Sequence, residues 1–219
     1  EQEVVVRLPV RVNFGGGWSD TPPYCNEHGG TVLNGAVKLN GILPVAVTLR
    51  HLDKHCIALS STDSGAYREF TDIRELQSCH DPFDPFALHK AALLTCGIIP
   101  MPQREEAKGG SRAILEDVLE RLGGGLYLNT EVTGIPRGSG LGTSSILAGA
   151  CVKGIFQYMG REATENDMYS YVLCMEQVMS TGGGWQDQVG GLTDGIKLAH
   201  TRPGLLQEIQ VDHLEIPKA

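Results

Sequence analysis

Hydrophobic and polar residues alternate along several stretches of the chain, and this two-residue period predicts β-strands. The first such stretch, residues 3–14, alternates and is rich in β-branched side chains. The same features predict strands at residues 31–37, 42–49, 57–60, 67–70, 125–132, 195–200 and 205–211. Most of the predicted strands therefore lie in the first part of the chain.

A period of three to four residues replaces the alternation elsewhere and predicts helices at residues 85–96, 112–122, 144–159 and 164–179. Thr164 is the predicted N-cap of the last helix, with Asp167 three residues further on. Glycine and proline content predicts loops at residues 15–24, 101–111 and 182–191. Strands first and helices later indicate an α+β fold rather than a regular βαβ alternation.

The stretch IPRGSGLGTSS, residues 135–145, places glycines and hydroxyl side chains directly before a predicted helix. The first N–H groups of a helix have no intrahelical partner, so the stretch is typical of either a turn or an anion site. A Walker A loop is excluded because no lysine is present. A dinucleotide-binding fingerprint is disfavoured because the spacing is GxGxG and no βαβ setting surrounds it. Small residues in the following helix predict close packing; they are Ala148, Gly149, Ala150 and Gly154.

The composition is ordinary for a globular protein of one large or two small domains, with 219 residues, 41% hydrophobic and 20% charged. The net charge of −8 argues against a general nucleic-acid-binding protein, because no basic surplus exists to neutralise phosphates. No apolar run approaches the ~18 residues of a membrane span, so no membrane partner is expected. The chain starts at Glu1, without Met or a signal peptide, and we expect a fragment or a processed form.

The six cysteines form no CxxC pair and are expected to be free thiols in a reducing cytoplasm. His51 and His55, next to Cys56, would have metal-ligand spacing if this segment were helical. The surrounding sequence is strand-like, however, and favours the alternative of a solvated hairpin tip.

Three motifs in order resemble those of the GHMP kinases, the superfamily of the galactokinases and the homoserine, mevalonate and phosphomevalonate kinases. The glycine-rich stretch is similar to their phosphate loop, PxxxGLGSS, through Pro136, Gly138, Gly140, Leu141, Gly142 and Ser144. Residues 8–24, LPVRVNFGGGWSDTPPY, resemble the amino-terminal sugar-binding motif. Residues 182–191, GGGWQDQVGG, resemble the segment that carries the catalytic aspartate. The run GGWSDTPP is most similar to the L-fucose kinases, with the heptose-phosphate kinases second.

The resemblance implies the fold of a GHMP kinase amino-terminal domain, which is like the second domain of ribosomal protein S5. We expect this domain at residues 1–200, with residues 201–219 as the start of a carboxy-terminal domain or a tail. Family members are generally longer and carry a third glycine-rich motif, which nothing after Leu198 resembles. Most of the carboxy-terminal domain is therefore expected to be absent, which leaves open whether this chain is active alone.

The resemblance also implies ATP and Mg²⁺ as cofactors. The residues implied to bind the ATP phosphates are Arg137, Gly138, Ser139, Gly140, Leu141, Gly142, Thr143, Ser144 and Ser145. Ser144 and Glu176 are implied to hold Mg²⁺, which favours a few protein oxygens together with phosphates. From the residues alone, Ser144 could equally be an N-cap, and Glu176 a solvated helical glutamate.

Asp187 is implied to be the catalytic base acting on the anomeric hydroxyl of a sugar, with Arg11 near the transferred phosphate. Without the resemblance, Arg11 would be read as an arginine at a strand edge. Whether Asp187 takes the proton or mainly orients the hydroxyl stays open.

The implied sugar-binding residues are Asp20, Trp18, Gly17, Ser19 and Asn13. A carboxylate such as Asp20 can accept hydrogen bonds from two neighbouring hydroxyls. Trp18 could pack on the sugar, although a tryptophan is as often a core residue. Galactokinases carry Gly-Glu-His where this chain has Gly-Gly-Trp, and the missing contacts to a 6-hydroxyl favour a 6-deoxy sugar.

The resulting expectation is an ATP-dependent kinase that converts L-fucose to L-fucose 1-phosphate. A heptose-phosphate kinase is the alternative within the superfamily, and a non-catalytic sugar and nucleotide sensor is the alternative from another class. The expected partners are a small sugar and ATP, with no nucleic acid and no membrane. Fusion to a nucleotidylyltransferase, as in some fucose kinases, is left open.

Overall fold

The computed structural model describes residues 2–103, 110–136 and 138–217. Arg137, one of the expected phosphate-binding residues, lies outside the described residues. The described strands are β1 Glu3–Leu8, β2 Val10–Gly15, β3 Thr31–Val37, β4 Val45–Leu52, β5 Ile57–Ser61, β6 Ala66–Phe70, β7 Gly125–Val132, β8 Ile196–His200 and β9 Gln210–Leu214. The described helices are α1 Tyr24–His28, α2 Ile73–Gln77, α3 Ala87–Thr95, α4 Gly110–Leu122, α5 Thr143–Tyr158, α6 Glu165–Val178 and α7 Gln186–Leu192.

The strands form two sheets, and the helices pack on and between them. The first sheet has five strands in the order β1-β4-β7-β5-β6, and the second has four in the order β2-β3-β8-β9. Helix α5 lies against β1 and β4 of the first sheet, and α7 lies between α5 and strands β2 and β3 of the second. The expected α+β fold is confirmed.

The strand predicted at residues 3–14 is two strands that belong to different sheets. Strand β1 pairs antiparallel with β4, whereas β2 pairs antiparallel with β3. Pro9 separates them, and a proline has no backbone N–H to donate to a ladder. The break turns β2 and its Arg11 away from the first sheet and toward α7.

The predicted hairpin around His51 and His55 is wrong. Strands β4 and β5 do not pair with each other, because β7 lies between them, antiparallel to β4 and parallel to β5. Leu126 and Leu128 of strand β7 are buried. The backbone N–H and C=O groups along both edges of this strand therefore need hydrogen-bond partners. Within the described residues, no group of three or more His, Cys, Asp or Glu side chains could hold a metal ion.

Helix α5 packs closely on its neighbours through its small residues, as the sequence predicted. A Cβ on Gly154 would lie 2.6 Å from Leu49 Cδ1, and a Cβ on Gly149 would lie 3.0 Å from Leu192 Cδ1. Thr164 is the N-cap of α6, as predicted, and it forms a capping box with Asp167. The six cysteines are free thiols, and Cys174 is the exposed one.

The predicted loop at residues 182–191 is wrong in its second half, which is α7. This helix is seven residues long and contains two glycines, so its local helix propensity is low. Partners distant in sequence stabilise it: Asp20 accepts hydrogen bonds from Gln186, and Asn34 Nδ2 donates to Gln186 O at 3.0 Å.

The segment after residue 200 crosses α1 and then joins the second sheet. Asn166 forms two hydrogen bonds with the backbone of Ile209, at 2.8 and 3.0 Å. Strand β9 then pairs antiparallel with β8, further along the chain than the strand predicted at residues 205–211. The predicted domain division at residue 200 stays a prediction. No helix in the described part of the chain is long and apolar enough to cross a membrane.

Candidate functional site

The glycine loop leads directly into the amino terminus of α5. Gly138, Gly140 and Gly142 all have a positive φ, between 73° and 75°, which favours glycine. Gly142 is the N-cap of α5, and no side chain among the described residues caps the helix. Ser144 is exposed in the first turn, so it is not the N-cap. The first N–H groups of this 16-residue helix are therefore placed for an anion.

Arg11 and Asp187 form an ion pair beside this loop. Arg11 Nε donates to Asp187 Oδ1 at 2.7 Å, and a second guanidinium nitrogen lies 2.6 Å from the same oxygen. The Arg11 backbone N–H also donates to Leu141 O at 3.3 Å, which ties β2 to the glycine loop. A Cβ on Gly142 would lie 3.0 Å from both Asp187 Cγ and Oδ1. Strand β2, the loop and α7 thus meet at one point.

Glu176 contacts Ser145 rather than Ser144, its expected partner in a metal site. Ser145 Oγ donates to Glu176 Oε1 at 2.6 Å, whereas Glu176 Oε2 is buried with no hydrogen-bond partner among the described residues. Burial raises the pKa of Glu176, and the charges of Asp187 and Asp20 add to this effect. Ser144, Ser145 and Glu176 line one cavity of about 210 Å³, whose other walls include Leu88 and Met179.

Asp20 is buried, with 1% of its surface exposed, instead of facing solvent. Its Oδ2 accepts from the Gln186 backbone N–H at 2.9 Å, and its Oδ1 accepts from Gln186 Nε2 at 3.0 Å. Burial raises the pKa of Asp20, and the hydrogen bond from the Gln186 backbone opposes this rise. Asp20 therefore holds the start of α7, one residue before Asp187.

The loop between β2 and α1 presents Trp18 to solvent. Trp18 is 81% exposed and has a φ of 74°, a left-handed conformation that is rare for a bulky residue. Ser19 Oγ lies 2.6 Å from Gly16 O and 2.9 Å from Thr31 O, and its single hydroxyl proton is shared between these two acceptors. Asn13 Oδ1 accepts from the Gly15 N–H at 3.0 Å. The structure thus excludes the alternative that Trp18 is a core residue.

Gly17 in this loop lies close to the side chain of Asn13. A Cβ on Gly17 would overlap Asn13 Nδ2, so a side chain has no room at this position. The expected sugar-binding residues are thereby brought together on one loop, with Asp20 at its buried end.

Three carboxylates and one guanidinium form the centre of the site. Burial raises the pKa of both Asp20 and Glu176, and the charge of Asp187 adds a smaller rise to each. Arg11 is the cation paired with Asp187. Such a site can orient a hydroxyl group, and Glu176 with Ser144 and Ser145 presents oxygen ligands near the α5 amino terminus.

The sequence reasoning missed three residues that support this centre. Gln186 joins Asp20 to α7, Asn34 holds the Gln186 carbonyl, and Lys197 donates to backbone carbonyls at the other end of α7. Gln186 could have been suspected from its position next to Asp187. Asn34 lies in GGTVLNGAV, a stretch that shares the resemblance but gave this residue no role, and Lys197 lies in a strand without a recognisable motif.

Comparison with known proteins finds similarity to one family and to two longer relatives. The family model of the GHMP kinases N terminal domain matches residues 111–195. The chain is 40% identical over 218 residues to the L-fucokinase/L-fucose-1-P guanylyltransferase of Bacteroides fragilis. It is 41% identical over 206 residues to the bifunctional fucokinase/GDP-fucose pyrophosphorylase of Arabidopsis thaliana. These matches cover 98% and 94% of this chain but only 22% and 18% of the two relatives.

A solved structure supports the same assignment at the level of the fold. The chain resembles a D-glycero-D-manno-heptose 1-phosphate kinase from Bacteroides thetaiotaomicron with a TM-score of 0.70 and 16% identity. The match covers 99% of this chain and 61% of the solved one. These findings show that residues 111–195 match the GHMP kinases N terminal domain and that the chain has the fold of the solved kinase.

Proposed function

We propose that this chain provides the sugar- and phosphate-binding elements of an ATP-dependent kinase that converts L-fucose to L-fucose 1-phosphate. The observation that carries the proposal is the Arg11–Asp187 ion pair, which lies against Gly142 of the phosphate loop. The two curated relatives are named as fucokinases, which supports L-fucose as the substrate. Because the chain spans about a fifth of those relatives, the reaction of the whole protein is part of the proposal.

The ATP phosphates are proposed to bind the glycine loop and the first turn of α5. The backbone of residues 138–145 can approach phosphate oxygens closely at its glycines, and the positive end of the helix dipole favours their charge. Thr143, Ser144 and Ser145 add hydroxyl groups at the same end. The expected contribution of Arg137 stays a prediction.

Glu176 and the serine hydroxyls fit a magnesium ion. The buried Oε2 of Glu176 has no hydrogen-bond partner among the described residues, and coordination to a cation would satisfy it instead. Ser145 already contacts the other oxygen, and Ser144 lines the same cavity. When bound, Mg²⁺ neutralises charge that builds up on the phosphate oxygens. The residues that would hold it are Glu176 with Ser144 or Ser145.

Asp187 is proposed to accept a hydrogen bond, and then the proton, from the anomeric hydroxyl of the sugar. The sugar oxygen forms a bond to the γ-phosphorus of ATP while the bond from this phosphorus to the ADP oxygen breaks. Arg11 stabilises the negative charge that the transferred group carries in the transition state. Both contacts of Arg11 go to Asp187 Oδ1, and no hydrogen bond within the described residues engages Oδ2.

The sugar is proposed to lie against the loop of Asn13, Gly17, Trp18 and Ser19, with Asp20 at its buried end. The exposed indole of Trp18 can cover the apolar C–H face of a sugar. This loop lacks the Glu and His that galactokinases use near a 6-hydroxyl, which favours a 6-deoxy sugar such as L-fucose.

A heptose-phosphate kinase is the second candidate, since a solved structure of similar fold carries that title. A phosphorylated sugar calls for extra positive charge, and residues 13–34 contain no lysine or arginine. The third candidate, a sensor that binds without turnover, is disfavoured by the presence of Arg11, Glu176 and Asp187 in one site.

Fusion to a nucleotidylyltransferase is proposed because both relatives are named as bifunctional proteins that combine a fucokinase with such an activity. A reducing cytoplasm is proposed as the compartment, because all six cysteines are free and five are buried.

ADP release in a coupled assay tests the proposal, with L-fucose, D-arabinose, D-galactose and a heptose 7-phosphate as acceptors. Asp187→Asn is the diagnostic variant, and Asp53→Asn, at a fully exposed aspartate on another part of the surface, is the matched control. We expect L-fucose to be the best acceptor and Asp187→Asn to lower its turnover by roughly 100- to 10,000-fold. Strong turnover of D-galactose, or full activity of Asp187→Asn, would contradict the proposal.

A further inference from the structure

Helix α7 carries Asp187 but has little stability of its own. Its sequence QDQVGGL has only seven residues and two adjacent glycines, and each glycine costs about 1 kcal/mol relative to alanine in a helix. Isolated helices of this length do not persist in water. The position of Asp187 therefore depends on groups outside the helix.

The amino-terminal end of α7 is held by two polar side chains that are both buried. Asp20 accepts the Gln186 N–H, and Asn34 donates to the Gln186 carbonyl. These contacts fix where the helix begins. Neither Asp20 nor Asn34 forms a hydrogen bond with the other end of the helix, beyond Gly190.

Lys197 binds the carboxyl-terminal end of α7. It lies on β8, opposite Asn34 in the ladder with β3, and its surface exposure is 0%. Its Nζ donates to the carbonyl oxygens of Gly190 at 3.0 Å, Gly195 at 3.2 Å and Thr193. The three donors of an ammonium group are thus all used, and a cation at a helix carboxyl terminus is favourable.

The carbonyl of Gly190 links Lys197 to the ion pair. Gly190 packs directly on the Arg11 side chain, since a Cβ at this position would overlap Arg11 Cβ, and it would lie 3.2 Å from Asn34 Nδ2. Moving the Gly190 end of α7 therefore moves the helix relative to Arg11. Arg11 in turn contacts Asp187, one turn earlier in the same helix.

We propose that Lys197 is a positioning residue for Asp187, which it acts on by fixing the carboxyl-terminal end of α7 against Arg11. The inference rests on the proposed kinase function only for its kinetic test. Tyr169 and Thr193, whose hydroxyls are hydrogen-bonded, connect the same end of α7 to α6 and limit how far the helix can move. We therefore expect displacement of Asp187 rather than loss of the fold when Lys197 is replaced.

The test replaces Lys197 by Met, which keeps the length of the side chain and removes its donors. Lys153→Met, at an exposed lysine of α5, is the matched control. Kinetics on the full-length protein and hydrogen exchange of the backbone amides of residues 186–193 are measured together. We expect kcat per folded molecule to fall roughly 10- to 100-fold with the KM for ATP unchanged, because a small misplacement of a reacting group lowers the rate.

Hydrogen exchange separates this inference from the proposed function. If the native protein phosphorylates none of the sugars, the proposed function fails, but faster exchange across α7 in Lys197→Met still supports the positioning role. If Lys197→Met shows hydrogen exchange in α7 at the native rate, or an unchanged kcat per folded molecule, the positioning role is overturned. Should Lys197→Met not fold, Lys197→Gln, which retains the two N–H donors of an amide but no charge, is judged by the same two measurements.

Discussion

Arg11 Nε donates to Asp187 Oδ1 at 2.7 Å, although the two residues lie 176 positions apart in the chain. The side chains are 13% and 29% exposed, so water screens this ion pair less than a surface pair. Arg11 is held by β2 and by its backbone bond to the glycine loop, while Asp187 is held by α7. The pair thus fixes strand β2 and the glycine loop relative to α7.

Under the proposed function, replacing Arg11 by Met should lower kcat for L-fucose phosphorylation by roughly 100- to 1,000-fold, because the charge proposed to stabilise the transferred phosphoryl group is lost. Steady-state kinetics on the purified variant measures the effect. Arg7→Met, at an exposed arginine of the neighbouring strand β1, is the control and should keep native activity. Equal losses in the two variants would count against a specific role for Arg11.

Replacing Gly142 by Ala should lower both stability and activity. A left-handed φ of 73° costs a non-glycine residue about 1–2 kcal/mol, and the new Cβ would press on Asp187. Gly134→Ala is the control, since Gly134 has a φ of 71° but nothing within 4 Å of an added Cβ. We expect similar losses in the free energy of unfolding, measured with urea, and a loss of kcat in Gly142→Ala alone.

Replacing Glu176 by Gln should raise the Mg²⁺ concentration needed for half-maximal activity by about tenfold or more, since a metal ligand loses its charge. Without metal, the same variant should be more stable than the native protein at neutral pH. Burial raises the pKa of Glu176 above its ordinary value, so stability from this group is complete below pH 4.5 and is lost as the pH rises through the folded-state pKa.

Thermal unfolding in EDTA at several pH values tests the second half of this prediction. The advantage of Glu176→Gln should grow from acidic to neutral pH and should shrink when Mg²⁺ is added to the native protein. Glu162→Gln, at an exposed glutamate, should show neither trend. If the difference in thermal stability between the two proteins does not change with pH, burial does not raise the pKa of Glu176.

Acid should destabilise the protein through His89, which is 2% exposed in α3. Its Nε2 contacts Ser60 O at 2.7 Å, and burial lowers its pKa from 6.5 to about 4. The unfolded chain therefore binds this proton more readily, and stability falls as the pH drops from about 6.5 to about 4, by roughly 3 kcal/mol.

Urea unfolding at pH 7 and pH 4 measures this effect in the native protein and in His89→Gln. The variant should lose less stability on acidification, because its amide does not titrate. His28→Gln, at an exposed histidine, is the control and should behave as the native protein does. An identical pH dependence in His89→Gln would show that other groups cause the acid sensitivity.

The sequence by itself determined the elements whose signals are local. The alternation of β7 and the small residues of α5 gave a strand and a closely packed helix, and Thr164 gave the N-cap of α6. The glycine spacing of residues 138–142 pointed to a turn or an anion site, and the structure places it at the start of α5. These features depend on neighbouring residues, which the sequence shows directly.

Only the tertiary structure decided how the elements meet. Helix α7 forms because Asp20 and Asn34, each distant in sequence, bind Gln186 at its amino-terminal end. Strand β7 enters between β4 and β5, which local sequence would have paired. Asp20 is buried and accepts a hydrogen bond from the Gln186 side chain, and Glu176 accepts a hydrogen bond from Ser145 rather than from Ser144. In each case the group that forms the contact comes from another part of the chain, and local sequence does not show which distant residues will lie close together in the fold.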